Sequence, residues 1–405
     1  MYLLAHYFSD GKWWSTPTQY NQSMPYDFDA PVNRSNSDSI RWDRYAAGDV
    51  IPLWVADMDF QSPPCVLEAL SQRVQHGVFG YTHAPDSLRH EIALYLVEQF
   101  SWEVDPEWIV ILPSVVSGLY TAVRQLTNPG EHLIVPQPVY HHLRLACSEG
   151  PRPFTEIPLM LSHDRWVLPW QTLSQSCEVN TKLAMLCNPQ NPGGTVYTKS
   201  ELQQFAVFCE ERDILICSDE IHAGLVLDSQ ARHTPIASLS KSISMRTVTL
   251  MSLNKVFNFP GIGLAWAIAE NPSLRAAMQT DLHRTITDPG LLAYTATLAA
   301  MRGGESWRQS LLHYLRGNRD YVAARIKTMP PLRIAKMEAS YLAWIDCSAL
   351  NCADPHALFL GAGLALSPGA QFNAPQFVRL NFGTQRVILE QALDRMAAAI
   401  KTTNA

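Results

Sequence analysis

Ile214-Leu215-Ile216-Cys217-Ser218-Asp219-Glu220-Ile221-His222 sets a short, continuously apolar run directly before an acid. A run of that length, closed by a polar turn, reads as a strand buried on both faces. Five more runs share the form, at 108–112, 132–135, 182–186, 247–251 and 263–268, and amphipathic helical stretches separate them. The alternation predicts an α/β fold, a mostly parallel sheet covered by helices. Ligands of open sheets collect at the carboxyl ends of the strands, which selects Ser114, Tyr140, Asn191, Asp219 and Lys255.

The rest of the chain fits around that sheet. The first 50 residues are polar and carry Trp13, Trp14, Tyr20, Tyr26, Phe28 and Trp42, so they wrap around a body rather than fold alone. From about Leu292 the pattern becomes long helices, short strands at 343–345 and 378–381, and a final helix, as in a smaller α+β domain. We therefore divide the chain into an N-terminal segment, 1–60, that joins the small domain, a large domain, 61–291, and a small domain, 292–405.

With 405 residues, 47% of them hydrophobic and 17% charged, a large buried core is easily built. The net charge of −6 leaves no basic surplus to displace phosphate counterions, which argues against a nucleic-acid binder. The eight cysteines show no CxxC pair and several sit in apolar runs, so reduced core thiols are expected. Residues 1–10 lack a basic region followed by an apolar stretch, and apolar runs such as 357–366 fall far short of the roughly 20 residues that span a bilayer. The expected setting is cytoplasmic, without a membrane, and the sequons at Asn21 and Asn33 are read as chance. No HExxH or zinc-like Cys/His spacing supports a metal site around His141-His142 or Glu220 and His222.

Lys255 follows the run 247–251 and precedes the loop 256–261, so it is not on a solvated helix face. A desolvated lysine has a lowered amine pKa and attacks carbonyls, although a lysine in apolar surroundings also simply snorkels to water. Asp219, at a buried strand end, calls for a cationic partner, such as a protonated pyridine nitrogen, or else caps a helix. His222 either meets a ring hydroxyl or is a core histidine. Between them, Cys187-Asn188-Pro189-Gln190-Asn191-Pro192-Gly193-Gly194-Thr195 forms a tight loop that turn chemistry alone explains. The order of loop, acid and lysine, about 30 to 35 residues apart, is not explained by turn chemistry.

That order resembles the fold-type I enzymes dependent on pyridoxal 5′-phosphate, the aspartate-aminotransferase superfamily, over nearly the whole chain. Leu53 to Phe60, His76 to Tyr81, Cys187 to Gly193, Ser218 to His222 and Tyr341 to Trp344 are similar to the branch of cystathionine β-lyases and maltose-regulon-modulator-type carbon–sulfur lyases. The resemblance implies a sheet of seven strands sandwiched by helices. It implies that Lys255 holds the cofactor as an imine and that Asp219 pairs with the pyridine nitrogen. Asn191 and His222 would meet the ring hydroxyl side, and Tyr140 would stack on the ring. Backbone N–H groups at Ser114, Val115 and Val116, with the Ser252 hydroxyl, would bind the phosphate. Tyr81 would reach in from the partner subunit of a homodimer and share in catalysis. Arg379 would grip the substrate carboxylate, for which its planar fork is suited, though an arginine in an apolar strand also serves structural ion pairs. Trp54 and Tyr341 are pocket walls or plain core.

Two positions depart from the aminotransferase pattern. Gly263 stands where many aminotransferases place an arginine eight residues after the lysine, and Asn254 stands where a serine is often seen. The lyase branch also lacks the arginine. The expected reaction is therefore β-elimination from L-cystathionine or a related L-cysteine S-conjugate, giving a thiol, pyruvate and ammonia. The alternative is an aminotransferase acting on an L-amino acid.

Overall fold

The computed structural model describes residues 26–282 and 286–403. Trp13, Trp14, Tyr20, the segment 1–10 and the sequon at Asn21 lie outside the described residues.

All six predicted runs join one seven-stranded sheet, in the order Ile109–Leu112, Ala265–Ile268, Thr247–Met251, Leu215–Asp219, Thr181–Cys187, His132–Gln137 and Phe154–Pro158. Ala265–Ile268 runs antiparallel to both neighbours, and every other pairing is parallel. Alternate side chains of the central strands feed two cores. Leu133, Leu183, Met185, Cys217 and Leu250 pack toward one, and Ile134, Ala184, Leu186 and Ile216 toward the other. The helix Val115–Leu126 lies in the first core, with Gly118 so close to the sheet that a Cβ would meet Leu250 Cδ2 at 2.8 Å. The helix Lys199–Glu211, opened by a Thr198/Glu201 capping box, fills the second with Leu202, Phe205 and Phe208.

The strand Phe154–Pro158 was not predicted, because prolines at 151, 153 and 158 punctuate it. As the sheet edge it tolerates them, since one side of its backbone has no strand to pair with.

A second, five-stranded sheet has the order Ile51–Leu53, Leu364–Pro368, Phe377–Asn381, Leu342–Asp346 and Arg333–Ile334. Ile51–Leu53 pairs in parallel with Leu364–Pro368, so a segment near the start of the chain is built into a sheet of its last third. The apolar stretch 357–366, uniform in sequence, is divided between the helix Pro355–Gly361 and that strand, with Gly363 turning the chain at φ +75°. The wrapping of the first segment is seen at Phe28, whose ring centroid lies 5.2 Å from that of Phe60 and 5.5 Å from that of Trp307.

The same segment carries a buried ionic cluster. Arg34 pairs with Asp57 at 2.7 Å and Asp59 at 2.9 Å, and the fully buried Arg41 pairs with Asp59 at 2.9 Å and Asp57 at 3.4 Å. All eight cysteines are free; Cys65, Cys177 and Cys352 are half-buried, and the others are buried. Among the described residues no helix is long and apolar enough to cross a membrane.

Candidate active site

The carboxyl ends of the large sheet open onto a cavity of about 480 Å³, within the range of small-molecule sites. Trp54, Ser114, Val115, Val116, Tyr140, Asn191, Asp219, His222, Ser252, Lys255 and Arg379 all line it. Most of these positions follow a strand directly, which is why residues distant in sequence converge.

Ser114 ends the loop after Ile109–Leu112 and caps the helix Val115–Leu126, its Oγ accepting from Ser117 N at 3.0 Å. The first N–H groups of that helix therefore face the cavity end lined by Ser114, Val115 and Val116, where the helix dipole favours an anion. Ser252 lines the cavity too, but its hydroxyl donates to the Leu264 carbonyl at 2.6 Å and accepts from Asn254 N at 3.1 Å. Gly263 permits no arginine: a Cβ there would lie 2.7 Å from the Pro113 carbonyl oxygen.

Asp219 is buried and accepts one hydrogen bond, from Ile221 N at 3.1 Å. Burial pushes its carboxyl up to about 7, and the Lys255 charge only partly opposes this. The amine of Lys255 donates to the Ala56 carbonyl at 2.7 Å. Burial brings it down to about 8, with Asp57 and Asp219 pulling upward and Arg379 downward. His222 is buried, its Nδ1 without a hydrogen-bond partner among the described residues, and burial holds the ring neutral, down to about 3.

Arg379 is 6% exposed and donates to Asn191 Oδ1 at 3.0 Å, to the Trp54 carbonyl at 3.2 Å and to Ser367 Oγ at 3.2 Å. Its Nε has no partner, and among the described residues no carboxylate forms an ion pair with it. Burial lowers its pKa to about 10. Asn191 is thus tied to the arginine, while its carbonyl accepts from Tyr140 N at 2.9 Å and fixes the approach of that tyrosine. The Tyr140 phenol is pushed up to about 12, chiefly by burial.

Two predicted residues stand apart from the cavity surface. Tyr341 is fully buried behind it, its hydroxyl donating at 3.0 Å to the Ala56 carbonyl that also accepts from Lys255. Tyr81 is fully exposed and outside this chain's own cavity. Sequence reasoning missed Ser367, His141, Pro260 and Gln371, which also line it. Ser367 belongs to the unpredicted strand Leu364–Pro368, and its position after an apolar run was the available signal. His141 adjoins Tyr140, with ring centroids 4.7 Å apart, and was weighed only as a metal ligand. Among the described residues no group of His, Cys, Asp and Glu is placed to hold a metal ion.

One cavity therefore offers an anion seat, a buried acid short of a cation, a depressed amine, a neutral imidazole with a free nitrogen, and an unneutralised guanidinium. Residues 48–396 match the family model of aminotransferase class I and II. The cystathionine β-lyase PatB of Bacillus subtilis (strain 168) is 31% identical over 385 residues, covering 92% of this chain and 99% of the relative. The crystal structure of OvoB is 42% identical with a TM-score of 0.91, covering 93% of this chain and all (100%) of the other. The crystal structure of cystalysin from Treponema denticola, which contains pyridoxal 5′-phosphate, is 28% identical with a TM-score of 0.89 over 94% of this chain and 100% of the other. The chain belongs to the class I and II aminotransferase family of fold-type I, pyridoxal-phosphate-dependent enzymes, in its cystathionine β-lyase-like branch.

Proposed function

We propose that the enzyme is a carbon–sulfur β-lyase that cleaves L-cystathionine or a related L-cysteine S-conjugate to a thiol, pyruvate and ammonia. The observation that carries this reading is the gathering of Lys255, Asp219 and Arg379 in one buried cavity, none of them ion-paired among the described residues. The missing arginine at Gly263 favours the lyase branch over the aminotransferases.

The donor set fits pyridoxal phosphate. When bound, the cofactor supplies an aldehyde carbon for an amine and a protonated pyridine ring that accepts electrons from the substrate's α-carbon. Ser114, Val115 and Val116 seat the phosphate through backbone N–H groups at the helix start, with Ser252 beside them. The Asp219 carboxylate holds the pyridine nitrogen protonated, which also relieves its own desolvation. Asn191 and His222, whose Nδ1 has no partner among the described residues, would hold the ring hydroxyl, and Tyr140 would cover the ring. Arg379 takes the substrate carboxylate, an opposite charge that no carboxylate among the described residues supplies. With the cofactor and substrate bound, Lys255 Nζ would be the base that accepts the α-proton; its depressed pKa leaves a useful neutral fraction near neutrality. Trp54 walls the cavity, Tyr341 stands behind it, and Ala56 O, which accepts from both Tyr341 and Lys255, orients the amine.

In the same reading the enzyme is a homodimer in which Tyr81, exposed in one chain, completes the neighbour's site. A stable monomer with full activity in sedimentation and assay would exclude this. The chain works as two bodies, 61–291 and 1–60 with 292–405, and limited proteolysis that cuts elsewhere first counts against that division. The free cysteines suit the cytoplasm, and recovery outside the cytoplasmic fraction of its own cells would refute that placement.

The central experiment mixes the purified yellow protein with L-cystathionine and a simple cysteine S-conjugate, without a 2-oxo acid, and follows pyruvate and free thiol together. Multiple-turnover release of both in equal amounts is expected. Conversion of the cofactor to its amine form without turnover, reversed by a 2-oxo acid, would instead assign an aminotransferase.

A further inference from the structure

A second cavity, of about 610 Å³, shares no lining residue with the first and is walled by the Ala223–Leu225 turn that follows His222. Its polar lining includes Arg232, Arg308, Arg316, His233, Thr234 and Ser229. The surrounding acids are already engaged. Glu305 takes Arg308 at 2.7 Å, Asp320 takes Arg319 at 2.8 Å, Glu220 takes His233 at 2.7 Å, and Asp228 takes Lys336. What remains is positive: Arg316 donates only to the Leu227 carbonyl, at 2.9 Å, and Arg232 forms no hydrogen bond or ion pair among the described residues. Arg316 is held below the usual guanidinium range by burial and by the neighbouring charges of Arg319 and Arg308.

Guanidinium groups in excess over the carboxylates near them bind anions, and their planar forks match oxyanions in particular; the carboxylate on this lining, Asp228, is already held by Lys336. We propose that this cavity binds a small, doubly charged oxyanion, of the phosphate or dicarboxylate type, between Arg232 and Arg316. The hydroxyls of Ser229 and Thr234 supply further donors. The site is wired to the catalytic cavity by short, buried links. His233 Nε2 meets Glu220 Oε2 at 2.7 Å, His233 Nδ1 lies 3.5 Å from Asn188 Nδ2, and Glu220 adjoins Asp219 in sequence. Arg308 donates to the Gly224 carbonyl at 3.0 Å, in the turn behind His222.

The test is calorimetric titration of the cofactor-loaded enzyme, in a buffer free of phosphate and carboxylates, with inorganic phosphate and separately with succinate. Saturable stoichiometric binding of at least one is expected, and the tighter of the two identifies the anion's chemistry. Arg232→Ala, at an exposed position that leaves the fold untouched, and Arg316→Ala should each weaken binding about tenfold. Absence of saturable binding of either anion below about 10 mM would overturn the proposal, as would equal affinity in both variants and the parent. The readout is binding, so the outcome is independent of which reaction the catalytic cavity performs.

Discussion

Two clusters of buried charge meet at Ala56, and they behave in opposite ways. On one side Arg34, Arg41, Asp57 and Asp59 pair with each other at 2.7 to 3.4 Å. On the other side Lys255, Asp219 and Arg379 share one cavity, the last two buried, and among the described residues none meets an opposite charge at ion-pair distance. In the first cluster the Arg34 pKa is raised despite burial, because two carboxylates outweigh desolvation. In the second, desolvation wins everywhere: the lysine falls to about 8, the arginine to about 10, and the acid rises to about 7. Burial alone therefore does not mark a functional charge. What marks it is a charge for which the fold has left the partner's place open.

The sharpest way to break that distinction is Lys255→Ala. It should abolish the visible absorption of the bound cofactor and cut turnover by at least about a thousandfold, while the thermal melt of the cofactor-free protein changes little. An unchanged spectrum in pure protein would remove the lysine from the chemistry.

A smaller but more discriminating contrast sets Arg41→Ala against Arg379→Ala. Removing Arg41 leaves Asp57 and Asp59 to share the single charge of Arg34 and should cost about 3 kcal/mol in a denaturant titration. Removing Arg379 strands no acid, so stability should hold within about 1 kcal/mol while KM rises about a hundredfold. Equal destabilisation by the two substitutions would show that both clusters are structural.

The smallest expected effect is in pH. The Lys255 pKa is lowered, so its neutral, nucleophilic form grows as pH rises through about 8. The rate at which cofactor-free protein takes up pyridoxal phosphate should climb about tenfold between pH 7 and 9 and then level off. For the same reason the unfolded chain binds more protons than the folded one between about 8 and 10.5, so this lysine's penalty on folding fades as pH rises through that window. An uptake rate still climbing steeply above pH 10 would show an ordinary exposed amine.

Much of the large sheet was legible because strands buried on both faces leave uninterrupted apolar runs, as at 214–217 and 247–251. The edge strand Phe154–Pro158 was hidden because only Ile157 in it is buried. Ile51–Leu53 was hidden because it is defined by a pairing across more than 300 residues, which no local pattern records, and Leu364–Pro368 because its apolar run continues without a break from the helix before it. The same logic governs the site. Lys255, Asp219 and Asn191 follow strands with strong signals, and all three line the cavity. Ser367 rides on the hidden strand and was missed, and the free Nδ1 of His222 became visible only with the neighbours in place.

The close approach of Gly263 to the Pro113 carbonyl bears on how this enzyme can change. A lineage or an engineer seeking the aminotransferase-type arginine at this position cannot reach it by one codon, since the first carbon of any side chain collides with main chain rather than with a movable neighbour. Introducing it requires prior remodelling of the 113–114 turn, which is also the turn that opens the helix Val115–Leu126. A single glycine thus acts as a ratchet that holds the protein on its branch.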